Sequence, residues 1–151
     1  MNNLTFKWLN KNNISEAVEL FNKYRIFYRQ ESSIEQSKNF LTNRINNNES
    51  KIIIAIKENK AVGFIQLYPI FSSVMLSKSW ILNDLYIHEE YRKKGIAATL
   101  IEQVLEFAKS DGATTVKLST EITNTQAQNL YEQMNFKKIE GSTFIDYKFD
   151  L

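Results

Sequence analysis

The chain has 151 residues, a formal net charge of +2, and 43% hydrophobic against 24% charged residues, a composition typical of globular rather than disordered proteins. It contains no cysteine and a single histidine, which excludes disulfides, a cysteine nucleophile and a zinc site built from several histidines. The small net charge argues against a nucleic-acid partner, and no apolar run approaches the roughly 20 residues that cross a bilayer. We therefore expect a cytoplasmic protein with neither nucleic acid nor membrane as partner.

Apolar periodicity predicts seven strands and four helices in the order β-α-α-β-β-β-α-β-α-β-β. In chain order, the strands are expected at Leu4–Leu9, Lys51–Lys57, Ala61–Tyr68, Trp80–Ile87, Thr114–Thr120, Lys137–Glu140 and Phe144–Phe149. The helices are expected at Ile14–Tyr28, 34–45, Gly95–Lys109 and Asn124–Met134. Asn13 and Ser33 are placed to cap the first two helices, and Pro69 is expected to end the pairing of the third strand.

This order of elements predicts one α/β domain over residues 1–151 with a mixed sheet. No repeat, linker or low-complexity segment interrupts the chain. The unit from Trp80 to Thr120 reads strand, helix, strand, which predicts a right-handed parallel crossover inside a mostly antiparallel sheet.

The turn between the fourth strand and the third helix carries the strongest chemical signal. It reads Arg92, Lys93, Lys94, Gly95, Ile96, Ala97. A basic, glycine-containing turn that opens a helix directs several backbone N–H groups and the positive end of a helix dipole at one spot. This predicts a pyrophosphate cradle, with charge-assisted hydrogen bonds from Arg92 and Lys93. Neither Gly-Lys-Ser/Thr nor Gly-x-Gly-x-x-Gly is present, so triphosphate hydrolysis and a nicotinamide cofactor are not expected.

Two motifs together resemble the GNAT superfamily of acetyl-CoA-dependent N-acetyltransferases. The first is Asn83-Asp84-Leu85-Tyr86-Ile87 followed by the Arg92–Ala97 turn, and the second is the run from Asn124 to Glu132 followed by Asn135-Phe136. The likeness extends over almost the whole chain and includes the element order. Asn135 stands where the family usually has Gly, which is compatible with the fold because Asn tolerates positive φ.

The resemblance implies the GNAT acyl-CoA N-acyltransferase fold, with about seven strands, four helices and a splayed parallel pair that admits the thioester. It also implies acetyl-CoA as cofactor. Leu85, Tyr86 and Ile87 would pair with the pantetheine arm, and the amides from Lys93 to Ala98 would hold the pyrophosphate. Asn124 would hydrogen-bond the cofactor, and Tyr131 would lie beside its sulfur.

The implied reaction is transfer of the acetyl group to a primary amine by direct attack on the thioester. Tyr131 is the candidate general acid for the leaving thiolate, since a phenol pKa near 10 lies within about two units of a thiol near 8.5. Asp84 and Glu121 are the candidate bases, followed by Asp146. Ordinary structural roles stay open for each residue: Asp84 as a satisfied buried carboxylate, Glu121 as a solvated side chain, Asn124 as a helix cap and Tyr131 as a core residue.

The acceptor is expected to be a small-molecule amine, lined by aromatic and hydroxyl side chains at Tyr24, Tyr28, Tyr68 and Ser72. For each of these residues, ordinary packing is the alternative. A non-catalytic acyl-CoA-binding sensor or interaction module on the same fold is the alternative function. The apolar segment Phe144–Phe149 further suggests a homodimer, because a bare apolar edge strand is prone to association.

Overall fold

The computed structural model describes residues 3–151, in which five strands, four α-helices and one 3₁₀ turn are formed. In chain order these are β1 (Leu4–Trp8), α1 (Ser15–Phe27), α2 (Ile34–Asn46), β2 (Lys51–Lys57), β3 (Lys60–Ser72), β4 (Ser77–Ile87), the 3₁₀ turn (Glu89–Tyr91), α3 (Ile96–Ser110), β5 (Thr115–Lys117) and α4 (Thr125–Gln133). Among these described residues, every helix is too short or too polar to cross a membrane.

The strands form one mixed sheet in the order β1-β2-β3-β4-β5. Neighbours from β1 to β4 are antiparallel, and β4 and β5 are parallel, as the strand–helix–strand pattern predicts. The α/β class with a mixed sheet and four helices is thus confirmed. The chain divides into two compact units, one that ends at Ser119 and contains the sheet, and one from Thr120 to Leu151 that contains α4.

Both faces of the sheet are covered, which explains why β2 is an almost continuous apolar run. On one face, Ile52, Ile54 and Phe64 pack with buried residues of α1 and α2. The alternate residue Ile53 faces the other way, on the side of Trp8, which lies opposite it in the β1–β2 register and whose ring meets Phe107 of α3. The sheet is therefore the middle layer of the first unit.

Gly63 of β3 allows close packing at the end of the sheet where α3 begins. A Cβ at this position would lie 2.6 Å from Ile87 Cδ1 and 3.4 Å from Leu100 Cδ1. Leu100 is fully buried, as are Ile101 and Val104 on the same helical stripe. Because Gly63 has no side chain, the first turns of α3 can lie close to β3 and to the end of β4.

The predicted cap of α1 is wrong, whereas that of α2 is confirmed. Asn13 lies two residues before the first residue of α1, and its Oδ1 accepts a hydrogen bond from the Asn10 N–H. Ile14 occupies the N-cap position of α1 without a side-chain cap. The Asn13 side chain is thus used in the Asn10–Asn13 turn and is not available to cap α1. Ser33 Oγ accepts from the Gln36 N–H at 3.2 Å and caps α2 as expected.

Pro69 does not end the pairing of β3. The strand continues to Ser72 and remains paired with β4, with Pro69 opposite Trp80. The β2–β3 ladder reaches only to the pair Lys51 and Leu67. Beyond Leu67, β3 therefore has a neighbour on one side only, and a proline is compatible with a strand whose other side has no ladder.

The two strands predicted near the C-terminus are not formed, so the sheet has five strands rather than about seven. Residues 137–140 and 144–149 have no strand hydrogen bonding. Their apolar side chains are largely exposed, including Ile139, Phe144, Ile145 and Phe149. Alternation of apolar residues predicts a side-chain pattern, but a strand also needs a backbone partner, which the alternation does not specify.

Candidate functional site

The loop between β4 and α3 has the backbone conformation that its glycine predicts. Gly95 is the N-cap residue of α3 with φ 79°, in the left-handed region that glycine adopts without steric cost. A Cβ built at Gly95 would meet no atom within 4 Å, so the outer side of this residue is open. Lys93 also has a positive φ of 59°. The two left-handed residues turn the chain sharply just before the helix.

Six consecutive backbone N–H groups at this loop donate no hydrogen bond within the described part of the chain. They belong to residues 93–98, while the flanking amides of Arg92 and Thr99 donate to Glu89 O and Gly95 O. The first amides of any helix lack an intrahelical acceptor, and here the preceding turn adds further donors to them. Together with the positive end of the α3 dipole, they form a site suited to an anion.

The basic side chains of the loop are held in different ways. Arg92 Nε donates to Ile87 O at 2.8 Å, and its guanidinium lies over the rings of Phe27 and Tyr86 at 5.5 and 5.4 Å. Lys94 Nζ donates to the Glu90 carbonyl at 3.0 Å. Arg92 thus attaches the loop both to β4 and to the C-terminal turn of α1.

One edge of β4 has an open stretch beside this loop. The parallel pairing of β4 with β5 is confined to Ser79–Ile81 opposite Thr115–Lys117. From Leu82 to Ile87, the side of β4 away from β3 has no strand partner among the described residues. Leu85, Tyr86 and Ile87, for which the family resemblance implies pairing with the cofactor arm, lie in this stretch.

Asp84 is a buried carboxylate surrounded by uncharged donors. It is 5% exposed. Its Oδ1 accepts from Tyr24 Oη at 2.6 Å and from Asn83 Nδ2 at 3.0 Å, and its Oδ2 accepts from Gln66 Nε2 at 2.8 Å. Gln66 and Asp84 are opposite each other because the register shifts there, with Asn83 as the extra residue of β4.

Asp84 lines a cavity of about 340 Å³ between the two N-terminal helices and the sheet. Its lining comprises Phe21, Tyr24 and Arg25 of α1, Gln36, Ser37 and Phe40 of α2, and Tyr68, Asn83 and Asp84 of the sheet. Of the predicted acceptor residues, Tyr24 and Tyr68 lie in this lining. Tyr28 packs behind it, with its ring 5.0 Å from that of Tyr24. Ser72 lies outside it and accepts a hydrogen bond from the Met75 N–H at the β3–β4 turn.

The two tyrosines of the cavity remain protonated at neutral pH. Burial, followed by the hydrogen bond to Asp84, raises the pKa of Tyr24 far above its ordinary value. Burial and the nearby Asp84 charge raise the pKa of Tyr68 to about 12. Both hydroxyls are therefore neutral donors, and Asp84 is the acidic residue of the lining.

The remaining predicted site residues belong to the second unit. Asn124 Oδ1 accepts from the Ala127 N–H at 3.1 Å, so Asn124 caps α4. Tyr131 is half-buried with its ring 5.8 Å from that of Phe136. Asn135 ends the helix with φ 67°, the positive φ expected of it. Glu121 is exposed just before α4, and its carbonyl accepts from Gln128 Nε2.

Sequence reasoning missed three residues that matter for the chemistry of the cavity: Arg25 and Phe40, which line it, and Gln66, which donates a hydrogen bond to Asp84. Gln66 is fully buried and its Oε1 has no hydrogen-bond partner among the described residues. A glutamine inside the apolar run of β3 was a signal for a buried polar site. Arg25 and Phe40 carried no such signal, because each fits the ordinary pattern of an amphipathic helix.

Comparison with known proteins identifies the family of this chain. Residues 15–136 match the family model described as the acetyltransferase (GNAT) family. A Bacillus subtilis protein named uncharacterized N-acetyltransferase YhfO is 41% identical over 128 residues, which are 85% of this chain and 85% of that protein.

Solved structures share the fold over nearly the whole chain. The crystal structure of a probable acetyltransferase matches with a TM-score of 0.87 and 34% identity over 97% of both chains. An aminoglycoside acetyltransferase from a soil metagenomic sample matches with a TM-score of 0.83 over 97% of both chains, but at 20% identity this likeness shows the fold alone. From the family match and these relatives, the chain belongs to the GNAT family of acetyltransferases.

Proposed function

We propose that this protein is an N-acetyltransferase that transfers the acetyl group of acetyl-CoA to a primary amine of a small molecule. The observation that carries the proposal is the run of six unpaired amides at residues 93–98, which opens α3 in a chain of the GNAT family. Acetyl-CoA supplies the acetyl group activated as a thioester. Its diphosphate is an anion of the kind that such a helix N-terminus binds.

The residues of the loop fit this cofactor. The left-handed Gly95 presents no side chain, so a phosphate can approach the main chain from the open side. Lys93 is exposed and can add its charge. Leu85, Tyr86 and Ile87 offer backbone groups along the unpaired edge of β4 for the pantetheine arm, and Asn124 is the proposed hydrogen-bonding partner in the second unit.

The cavity beside Asp84 is the proposed acceptor site. Its aromatic walls suit the body of a small amine, and its carboxylate suits the ammonium form in which an amine arrives. A typical alkylamine with a pKa of about 10.4 must lose a proton before attack, which costs roughly 4–5 kcal/mol at pH 7. We assign removal of this proton to Asp84, directly or through a water, with exposed Glu121 as the second candidate.

Tyr131 is the proposed general acid that protonates the leaving thiolate. Its phenol is half-buried in α4 of the second unit. Replacement by phenylalanine keeps the ring packed against Phe136 and removes only the hydroxyl. We expect Tyr131→Phe to lower kcat by about 100-fold or more with a good acceptor, within the range of general acid catalysis. Unchanged turnover would remove this role from Tyr131.

The test of the proposed function is an amine panel with acetyl-CoA, read out by release of free thiol and by mass spectrometry of the acetylated product. We expect turnover of at least one small primary amine, with formation of its acetamide. Binding of coenzyme A without turnover of any amine would instead support the non-catalytic acyl-CoA-binding module. Acetylation of peptides but of no small amine would overturn the acceptor class.

A further inference from the structure

The acceptor cavity contains a buried negative charge without a cationic partner. Within residues 3–151, Asp84 accepts hydrogen bonds only from Tyr24, Gln66 and Asn83, all uncharged. In the described part of the chain, no lysine, arginine or histidine nitrogen lies within 4.0 Å of its oxygens. Buried carboxylates are normally paired with a cation because desolvation is costly. Three of the roughly four acceptor sites of the carboxylate are used, so Oδ2 can accept one further donor.

The same cavity contains a positive charge without an anionic partner. Arg25 is half-buried in the last turn of α1, and its Nη1 donates to the Glu31 carbonyl at 3.0 Å, which fixes the side chain. Across residues 3–151, no carboxylate forms an ion pair with Arg25, and Arg25 and Asp84 do not pair with each other. Arginine binds carboxylates strongly through its planar set of donors.

We infer that the acceptor is a zwitterionic amine, an amino acid or a close derivative, whose ammonium binds at Asp84 and whose carboxylate binds at Arg25. This inference rests on the proposed function and specifies its substrate class. One ligand with two opposite charges supplies the missing partner of both residues. The aromatic lining residues Phe21, Phe40 and Tyr68 are left to contact the apolar body between or beside the charges.

The same arrangement disfavours polycations. A polyamine or aminoglycoside that places one ammonium at Asp84 brings a second positive charge into a cavity whose lining includes Arg25. Like charges in a partly desolvated site repel, and such repulsion is a common source of specificity. Arg25 is therefore assigned as the specificity-determining residue, and the likeness to an aminoglycoside acetyltransferase at 20% identity does not extend to the acceptor.

The test compares matched amines with and without the carboxylate: phenylalanine with phenethylamine, and β-alanine with ethylamine, with spermidine as the polycation. In the wild type we expect kcat/KM at least tenfold higher for the acid of each pair, and little turnover of spermidine. Arg25→Gln is expected to reduce this ratio about tenfold, through KM of the acids rather than through kcat. The intrinsic reactivities of the two amines of a pair differ, but this difference is the same for both enzymes and cancels when the ratio for Arg25→Gln is compared with that for the wild type.

Arg25→Lys is the rescue variant, since it retains the charge but not the planar donor set, and we expect it to restore part of the ratio. A ratio unchanged in Arg25→Gln, or a wild type that prefers the decarboxylated amines or spermidine, overturns the inference while leaving acetyl transfer intact. If no amine is acetylated, the proposed function fails, but the inference about the ligand can still be tested by calorimetry. The affinities of phenylalanine and phenethylamine are then measured for the wild type and for Arg25→Gln. Equal affinities of the wild type for the two ligands would overturn the inference.

Discussion

At the scale of single residues, the environment of Asp84 decides what the cavity can do. Uncharged donors from β3, β4 and α1 hold its carboxylate in one orientation, with the shortest contact to Tyr24 Oη. A carboxylate so fixed can bind an ammonium and accept its proton with little rearrangement. The sequence leaves two roles open for Asp84, a buried carboxylate with satisfied hydrogen bonds and a catalytic base. The contacts of Asp84 are compatible with both roles at once.

We expect Asp84→Asn to lower kcat/KM for a good amine by about 100-fold or more, because the amide keeps the size of the side chain but can neither attract an ammonium nor take its proton. Coenzyme A affinity should not change. Tyr24→Phe, which removes one donor to Asp84 but keeps the carboxylate, should lower kcat/KM by less than about tenfold. Thiol-release kinetics and calorimetry measure both. Full activity of Asp84→Asn would assign the base to Glu121 or to another group.

Sequence alone proposed Asp84 as a candidate base but did not predict which side chains donate hydrogen bonds to it, for a physical reason. The pair Asn83-Asp84 interrupts an apolar strand, and such an interruption is visible in any sequence. That Gln66 lies opposite Asp84 depends on the register shift at Asn83, which no periodicity reveals. The contribution of Arg25 depends on how α1 packs over β3 and against α2, which is a property of the tertiary structure.

At the scale of elements, the loop between β4 and α3 is attached to α1 through the contact of Arg92 with the Phe27 ring. Phe27, in the last turn of α1, is 58% exposed and lies 5.5 Å from the Arg92 guanidinium and 6.0 Å from the Tyr86 ring. Arg92 Nε is already engaged with Ile87 O. The arginine therefore orders the loop whether or not it also contacts a phosphate.

We expect Phe27→Leu to weaken coenzyme A binding by roughly two- to fivefold, because one cation–π contact at an exposed site contributes about 0.5–1 kcal/mol to the order of the loop. Phe71→Leu is the matched control, an exposed phenylalanine of β3 far along the strand from the loop. Isothermal titration calorimetry measures both. Identical dissociation constants for Phe27→Leu and the wild type would mean that Arg92 orders the loop without this ring.

A second link between elements joins β4 to the end of α3. Asp111, the C-cap residue of α3, accepts from Lys78 Nζ at 2.8 Å and from Trp80 Nε1 at 2.9 Å. The hydrogen bond from Lys78, followed by that from Trp80, holds the pKa of Asp111 below its ordinary value of 3.8. Because the pKa of Asp111 is lower in the folded than in the unfolded chain, the ionised carboxylate stabilises the fold. This stabilisation is fully present at a pH above the ordinary pKa of 3.8 and is lost as pH falls through the folded pKa.

We expect Asp111→Ala to lower the free energy of unfolding by about 1–3 kcal/mol at pH 7, since it leaves the buried Trp80 N–H without its acceptor. Asp111→Asn, which keeps an acceptor but not the charge, should lower the free energy of unfolding by less. Urea unfolding near pH 7 and near pH 3 measures the difference in this free energy between each variant and the wild type. The difference should be smaller at the lower pH. A gap of the same size at both values would contradict the role assigned to the charge.

At the scale of the whole molecule, most of the fold was predictable from periodicity, but the segment after Asn135, about a tenth of the chain, was not. The stripe of α3 and the apolar run of β2 have strong periods, and both elements are formed where expected. The segment after Asn135 has the alternation of two strands but forms none, because strand pairing depends on a partner that alternation does not specify. One family model covers residues 15–136, across both compact units.

Association of two copies through Phe144–Phe149 remains a prediction at this scale. Phe144 and Phe149 are 85% and 86% exposed, and exposed apolar segments of this kind favour self-association. Light scattering after size exclusion should give the mass of a dimer, and Phe144→Glu combined with Phe149→Glu should give that of a monomer. A monomeric wild type would refute the prediction.

The most direct test of the account is an NMR titration of the ¹⁵N-labelled protein with coenzyme A and, separately, with pantetheine, which lacks the diphosphate. If the unpaired amides at the start of α3 bind the diphosphate, the largest shift changes with coenzyme A will fall on residues 93–98, and pantetheine will leave these resonances nearly unchanged. Shift changes elsewhere, or equal changes at these amides with both ligands, would contradict the central claim.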